Sequence, residues 1–153
     1  MLPKKHTLPP QALLLDSQLC FALYSASLAM TKLYKPLLEQ CGLTYPQYLV
    51  MLVLWEKDDP FVSDLSERLF LDSGTLTPLL KRMESNGWLT RQRCTDDERR
   101  VKISLSASGL ALRSAAQHIP ACLMESTGCS LPELNALTLA LQKLRTRLVS
   151  RHP

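Results

Sequence analysis

The most constraining stretch of the chain is Ser63 to Leu105, where two short helical patterns joined by a tight turn run into an alternating hairpin pattern. Leu65 and Leu69, four apart, give the first helix, Ser63 to Phe70, a single apolar stripe. Leu71-Asp72 makes the turn. Asp72 or Ser73 then caps a second helix that reaches Asn86, with Leu76, Leu79, Leu80 and Met83 inward. A short side-chain oxygen is wanted there because the first turn of a helix leaves backbone N–H groups without partners. Gly87 supplies the stop, since helices close readily on a residue with positive φ. Trp88 to Cys94 alternates, and Val101, Ile103 and Leu105 alternate again, with the charged tip Thr95 to Arg100 between them. Helix, turn, helix and hairpin in that order predict a mainly α fold with a small β-hairpin wing, a winged helix-turn-helix.

In such a unit the second helix enters the major groove of DNA. Its exposed face carries Ser73, Thr75, Thr77, Lys81 and Arg82, hydroxyls and cations that suit phosphates and base edges. A formal net charge of +4 is too small to point to nucleic acid by itself. Its distribution says more, because Arg91, Arg93, Arg99, Arg100 and Lys102 all fall in the hairpin. Asp97 and Arg99 stand two apart, a spacing at which the carboxylate can aim the guanidinium toward a narrow minor groove. Taken alone, a mixed charge run is a solvated turn; directly after a helix-turn-helix it reads as a DNA contact. The predicted contacts are Ser73, Thr75, Thr77, Lys81, Arg82, Arg91, Asp97, Arg99 and Arg100, and the predicted partner is double-stranded operator DNA. A dimer would set its two recognition helices ~34 Å apart on an inverted repeat.

The flanks predict that dimer. Gln11 to Tyr34 reads as one helix, apolar nearly all round through Leu14, Leu15, Leu19, Phe21, Leu23, Leu28, Met30 and Leu33. Such a helix must be covered on every side, and in a small domain a second subunit is the simplest cover; a monomer's central core helix is the alternative. Pro36 is expected to break this helix, and Gly42 to close the short turn after it. Thr44 caps a helix from Tyr45 to Lys57, with Pro46 where proline is tolerated and Tyr48 to Trp55 as core. Ser106 to Ser126 reads as a helix interrupted by Pro120. Ser130 and Glu133 form a capping box that opens a last helix, whose leucines at 131, 134, 137, 141, 144 and 148 make a seam for another helix. At 153 residues the chain fits one domain, 1–153, with a DNA-binding part over about 44–105 and dimerisation helices over about 11–42 and 107–150. Residues 1–10, with three prolines and two lysines, read as a flexible arm.

Five cysteines, Cys20, Cys41, Cys94, Cys122 and Cys129, are odd in number and scattered, unlike a secreted disulfide framework. No CxxC pair occurs, and His6, His118 and His152 are far apart, so no metal and no cofactor is expected. His118 and Cys122 share a helix face, a weak signal without further ligands. No small-residue cleavage site follows an apolar run near Lys4 and Lys5, and the uncharged stretch Ser17 to Thr31 is too short to span a bilayer. The expectation is a cytoplasmic protein with reduced thiols and no membrane partner.

The stretch Leu71-Asp72-Ser73-Gly74-Thr75-Leu76-Thr77-Pro78-Leu79-Leu80-Lys81-Arg82, with Asp97-Glu98-Arg99-Arg100, resembles the multiple-antibiotic-resistance regulator (MarR) family. Leu19-Cys20-Phe21-Ala22-Leu23-Tyr24-Ser25 and Leu43-Thr44-Tyr45-Pro46-Gln47-Tyr48 resemble its organic hydroperoxide resistance regulator (OhrR) branch. The likeness covers about residues 13–150. It implies that Cys20 is the peroxide sensor, that Tyr34 and Tyr45 hydrogen-bond its thiolate, and that an organic hydroperoxide is the reactant. It further implies a homodimeric repressor of the two-cysteine type, with Cys129, or else Cys122, resolving the oxidised sensor across subunits. Cys20 and Tyr34 are fourteen residues apart, roughly 21 Å along a continuous helix, which keeps them apart within one chain; if two such helices cross antiparallel at a dimer interface, as the resemblance implies, the partner chain's tyrosines can reach Cys20. Without the likeness, Cys20 is an inert small residue on a buried helix and the tyrosines are core aromatics. Three other functions fit parts of the pattern: a related regulator answering a non-covalent aromatic ligand, which would not need Cys20; a thiol peroxidase, which would not need the wing; and a non-specific nucleic-acid protein, whose binding would fall with salt but ignore sequence. The expected protein is not an enzyme.

Overall fold

The computed structural model describes residues 9–57 and 59–151; most of the N-terminal arm, residues 1–8, lies outside them. Two short 3-10 turns, Pro10–Leu13 and Leu15–Ser17, lead into α1, Leu19–Glu39. The other helices are α2 (Tyr45–Glu56), α3 (Val62–Leu69), α4 (Ser73–Ser85), α5 (Ala107–Ala116), α6 (Ile119–Thr127) and α7 (Leu131–Arg151). Between α4 and α5, strands β1 (Leu89–Arg93) and β2 (Val101–Leu105) pair antiparallel, with Leu89 opposite Leu105 and Arg93 opposite Val101.

Local chemistry sets most boundaries. Thr44 and Gln47 form a reciprocal capping box, the Thr44 N–H donating to Gln47 Oε1 at 2.9 Å and the Gln47 N–H to Thr44 Oγ1 at 3.4 Å. Asp72, rather than Ser73, caps α4, its Oδ1 accepting from the Thr75 N–H at 2.7 Å. Gly87, at φ 79, closes α4 with the Gly87 N–H donating to the Glu84 carbonyl and the Trp88 N–H to the Met83 carbonyl. Ser130 and Glu133 cap α7 as the sequence predicts.

Two helix boundaries differ from expectation. The long first helix begins at Leu19, not Gln11, because the chain from Pro10 to Gln18 takes tight turns whose carbonyls are met by the Gln18 side chain. Pro36 does not break α1, which runs on to Glu39. Proline removes one N–H from the ladder, but the turn beyond it carries Leu37 and Leu38 into the core, and Leu38 is buried. The stretch from Ser106 is two helices, α5 and α6, with Pro120 seated in the first turn of α6 where no N–H is required.

The core lies where α2 crosses the helix-turn-helix. Val50, Met51 and Leu54 of α2 meet Leu65, Leu76, Leu80, Met83, Leu89 and Ile103. Trp55 Nε1 donates to the Gly109 carbonyl at 3.1 Å, tying α2 to α5. Gly109 is required there, because a Cβ would stand 2.0 Å from the Trp88 carbonyl oxygen. By contrast α7 buries none of its residues, and Leu131, Leu137, Leu141 and Leu148 stay exposed. Leu19, Phe21, Tyr24 and Leu28 of α1 are also open. These apolar faces belong to the two ends of the chain predicted to dimerise. Among the described residues, no helix is long and apolar enough to cross a membrane.

Candidate DNA interface and redox site

The recognition helix α4 turns Leu76, Leu80 and Met83 to the core, which leaves Ser73, Thr75, Lys81 and Arg82 on its exposed face and Thr77 half-buried at the edge. At the wing tip Asp97 Oδ1 accepts from both the Arg99 backbone N–H at 3.1 Å and its Nε at 3.3 Å. The Arg99 side chain is 92% exposed, so the carboxylate fixes its base while the guanidinium projects.

Two wing arginines take other positions. Arg91, predicted as a DNA contact, turns inward: its Nε and backbone N–H meet the two oxygens of Glu84 on α4 at 2.9 and 3.0 Å. Strand alternation explains this, because residue 91 lies on the face that already sends Leu89 to the core. Glu84 stays well within its ionised range, held below its ordinary value chiefly by the Arg91 backbone N–H. Arg100 stacks on Phe61, with the guanidinium carbon 3.7 Å from the ring centre. The same junction holds Lys102 Nζ 3.1 Å from Asp59, and the Ile103 N–H donates to the Pro60 carbonyl. The wing is thus braced against α4 on one side and the α2–α3 loop on the other.

The redox candidates are set by α1 and α2. Cys20 is exposed in the first turn of α1. Tyr34 stands on the same unbroken helix, which keeps the two roughly 21 Å apart within one chain. Tyr34 instead packs on Tyr45, ring centres 4.9 Å apart, and on Tyr48, at 5.9 Å. Tyr48 is a neighbour that reading the sequence assigned only to the core. Burial first, then the neighbouring phenols, pushes Tyr34 up to about 12, and burial raises Tyr45 as well. Both therefore keep their O–H at neutral pH.

Cys122 is half-buried on α6, and Cys129 half-buried between Gly128 and the α7 cap. Cys129 donates its N–H to Thr127 Oγ1 and its thiol to the Thr127 carbonyl. Cys41 is buried, its thiol directed at the Ala115 carbonyl at 3.7 Å, and burial raises it, which suits a structural role. Among the described residues no His, Cys, Asp and Glu cluster could hold a metal.

A recognition helix on a packed helix-turn-helix, with an arginine-tipped wing beside it, defines a winged helix-turn-helix DNA-binding protein. Comparison with known proteins agrees. The family of transcriptional regulators SarA/Rot matches residues 32–114. The organic hydroperoxide resistance transcriptional regulator of Bacillus subtilis (strain 168) is 49% identical over 130 residues, 85% of this chain and 88% of that protein. The reduced, DNA-bound structure of AbfR, a protein of Staphylococcus epidermidis, superposes with a TM-score of 0.74 at 34% identity, covering 88% of this chain and 94% of that one. A disulfide form of AbfR superposes with a TM-score of 0.61 at 35% identity, covering 89% and 90%. The chain belongs to the MarR-type winged-helix regulators, in the branch of the organic hydroperoxide resistance regulators.

Proposed function

We propose that the chain is a redox-sensing repressor that holds operator DNA as a homodimer while Cys20 is reduced and releases it when an organic hydroperoxide oxidises Cys20. The observation that carries this reading is the separation of Cys20 from Tyr34 along one unbroken helix, with Tyr45 of α2 packed beside Tyr34 and the apolar face around Cys20 left open. Two such helices crossing at a dimer interface bring Cys20 of one chain to the partner subunit's Tyr34 and the partner subunit's Tyr45. Two protonated phenols then donate to the thiolate, at ~1.5–3 kcal/mol for each hydrogen bond to a charged group. The relatives support it, being an organic hydroperoxide resistance transcriptional regulator and AbfR, whose structures include a reduced form bound to DNA and a disulfide form.

The chemistry balances. The Cys20 thiolate attacks the terminal peroxide oxygen, the O–O bond breaks, and the alkoxide leaves and takes a proton as the alcohol. Sulfur gives up two electrons and becomes a sulfenic acid. The thiol of Cys129 or Cys122 from the partner subunit then attacks that sulfur, water leaves, and an intersubunit disulfide forms. Cys129 suits the step better, because the linker ahead of α7 moves more readily than the middle of α6. On DNA, Ser73, Thr75, Thr77, Lys81 and Arg82 meet the major groove, and Arg99, aimed by Asp97, meets the minor groove. Residues 44–105 form the DNA-binding part of a single domain, and the helices on either side form the dimer. No part of this cycle needs a cofactor or a membrane, and it suits the reducing cytoplasm.

The test is binding to a duplex carrying the promoter of its own gene during titration with cumene hydroperoxide, for wild type and Cys20→Ser. Release of the wild type alone supports the reading. Equal release of both proteins would leave a regulator that answers a non-covalent ligand.

A further inference from the structure

Phe70 belongs neither to the core nor to the DNA face of the helix-turn-helix. It closes α3 at φ 56 and ψ 35, a left-handed conformation that crowds a Cβ and favours glycine. Its ring nevertheless stays 56% exposed. The strain therefore secures no burial. Upon this ring lies the guanidinium of Arg145 from α7, 4.3 Å from the ring centre. Since α7 buries none of its own residues, the stack ties the helix-turn-helix to a helix otherwise presented outward. Strain kept where glycine would relieve it points to a function for the contact it creates.

We propose that Phe70 and Arg145 are positioning residues that carry the state of the dimer helices to the recognition helix. This rests on the redox reading above. Cys129 stands two residues ahead of α7, so a disulfide there pulls on the start of that helix. Arg145 lies fourteen residues further along the same helix, roughly 21 Å away, and a helix transmits such a displacement as a rod. Phe70 in turn lies two residues before Asp72, the cap of α4. A shift of the ring therefore acts on the residue that sets how the recognition helix begins.

Phe70→Gly removes the ring while leaving the residue best suited to the left-handed turn, and Arg145→Gln removes the cation while keeping a good helix former. Each variant is titrated onto the promoter duplex of its own gene, reduced and after cumene hydroperoxide. Both should bind in the reduced state within about threefold of wild type, because an exposed ring–cation contact adds little stability. The ratio of reduced to oxidised affinity should fall about fivefold or more in each. The double variant should fall no further, since both changes cut one link. An undiminished ratio in both variants would overturn the proposal, and so would equal losses in the two redox states, which a merely structural contact predicts. A wild type that keeps its DNA after peroxide would remove the redox reading itself, a different failure.

Discussion

Replacing Arg91 by glutamine separates bracing of the wing from contact with DNA. The Arg91 guanidinium lies on Glu84 of α4 at 2.9 Å, with side chains 26% and 35% exposed, and a backbone N–H to the same carboxylate remains after the change. A pair this accessible is partly screened, so its loss should cost about 1 kcal/mol. In a domain of this size that lowers Tm by roughly 2–4 °C. DNA binding then weakens a little but keeps its salt dependence, because no phosphate contact is lost. Arg99→Gln should behave in the opposite way. Its side chain is 92% exposed and supports nothing else, so stability holds. If each of two subunits loses one cation that neutralises backbone charge from within the minor groove, the slope of log affinity against log salt becomes shallower by about 1.8. Thermal unfolding and binding across a salt series measure both quantities. The reasoning fails if Arg91→Gln flattens the slope as Arg99→Gln does, because Arg91 would then be leaving Glu84 for DNA. Acid adds a check on the sign. The carboxylate of Glu84 is held below its ordinary 4.5, so the pair's contribution is complete above that value and is lost as pH falls through the lower folded one.

Other consequences are simpler to read. Gly109→Ala should cost more than about 2 kcal/mol by thermal unfolding, because a Cβ there meets a backbone oxygen at 2.0 Å. Tyr34→Phe should leave reduced DNA binding intact and slow oxidation of Cys20 by cumene hydroperoxide about tenfold at neutral pH, as loss of one bond to a charged sulfur implies; stopped-flow oxidation measures it. Between the ordinary phenol value of 10 and about 12, the unfolded chain ionises at Tyr34 while the folded chain does not, so folding stability should fall across that alkaline window. Denaturation at stepped pH would show it, and Tyr34→Phe should reduce the fall.

Much of the fold was legible because its signals are local. Thr44, Asp72 (with Ser73 as the alternative the structure does not use), and Ser130 with Glu133 each satisfy N–H groups within their own helix, so a few residues suffice to place a boundary. The order of α3, α4 and the hairpin follows from apolar spacing alone. What escaped depends on residues distant in sequence. Pro36 reads as a breaker until Leu38 is seen to draw the chain onward into the core. Arg91 and Arg100 read as DNA contacts, and neither the Glu84 pair nor the Phe61 stack that holds them is visible in the sequence. Phe70 gave no signal at all, since its left-handed turn is a position where glycine would be expected. The site divides in the same way. Cys20, Tyr34 and Tyr45 were proposed by resemblance, whereas the separation of Cys20 from Tyr34 along one helix is simple geometry.

The claim that each redox site is shared between two chains is tested most directly in a heterodimer. One chain carries Cys20→Ser with its tyrosines intact, and the other keeps Cys20 but carries Tyr34→Phe and Tyr45→Phe. Across the interface, the single remaining Cys20 faces the intact tyrosines of its partner. Its oxidation by cumene hydroperoxide should therefore proceed at the wild-type rate per thiol, well above the rate of the homodimer lacking both tyrosines. A heterodimer as slow as that homodimer would place thiol and tyrosines in one chain and contradict the account.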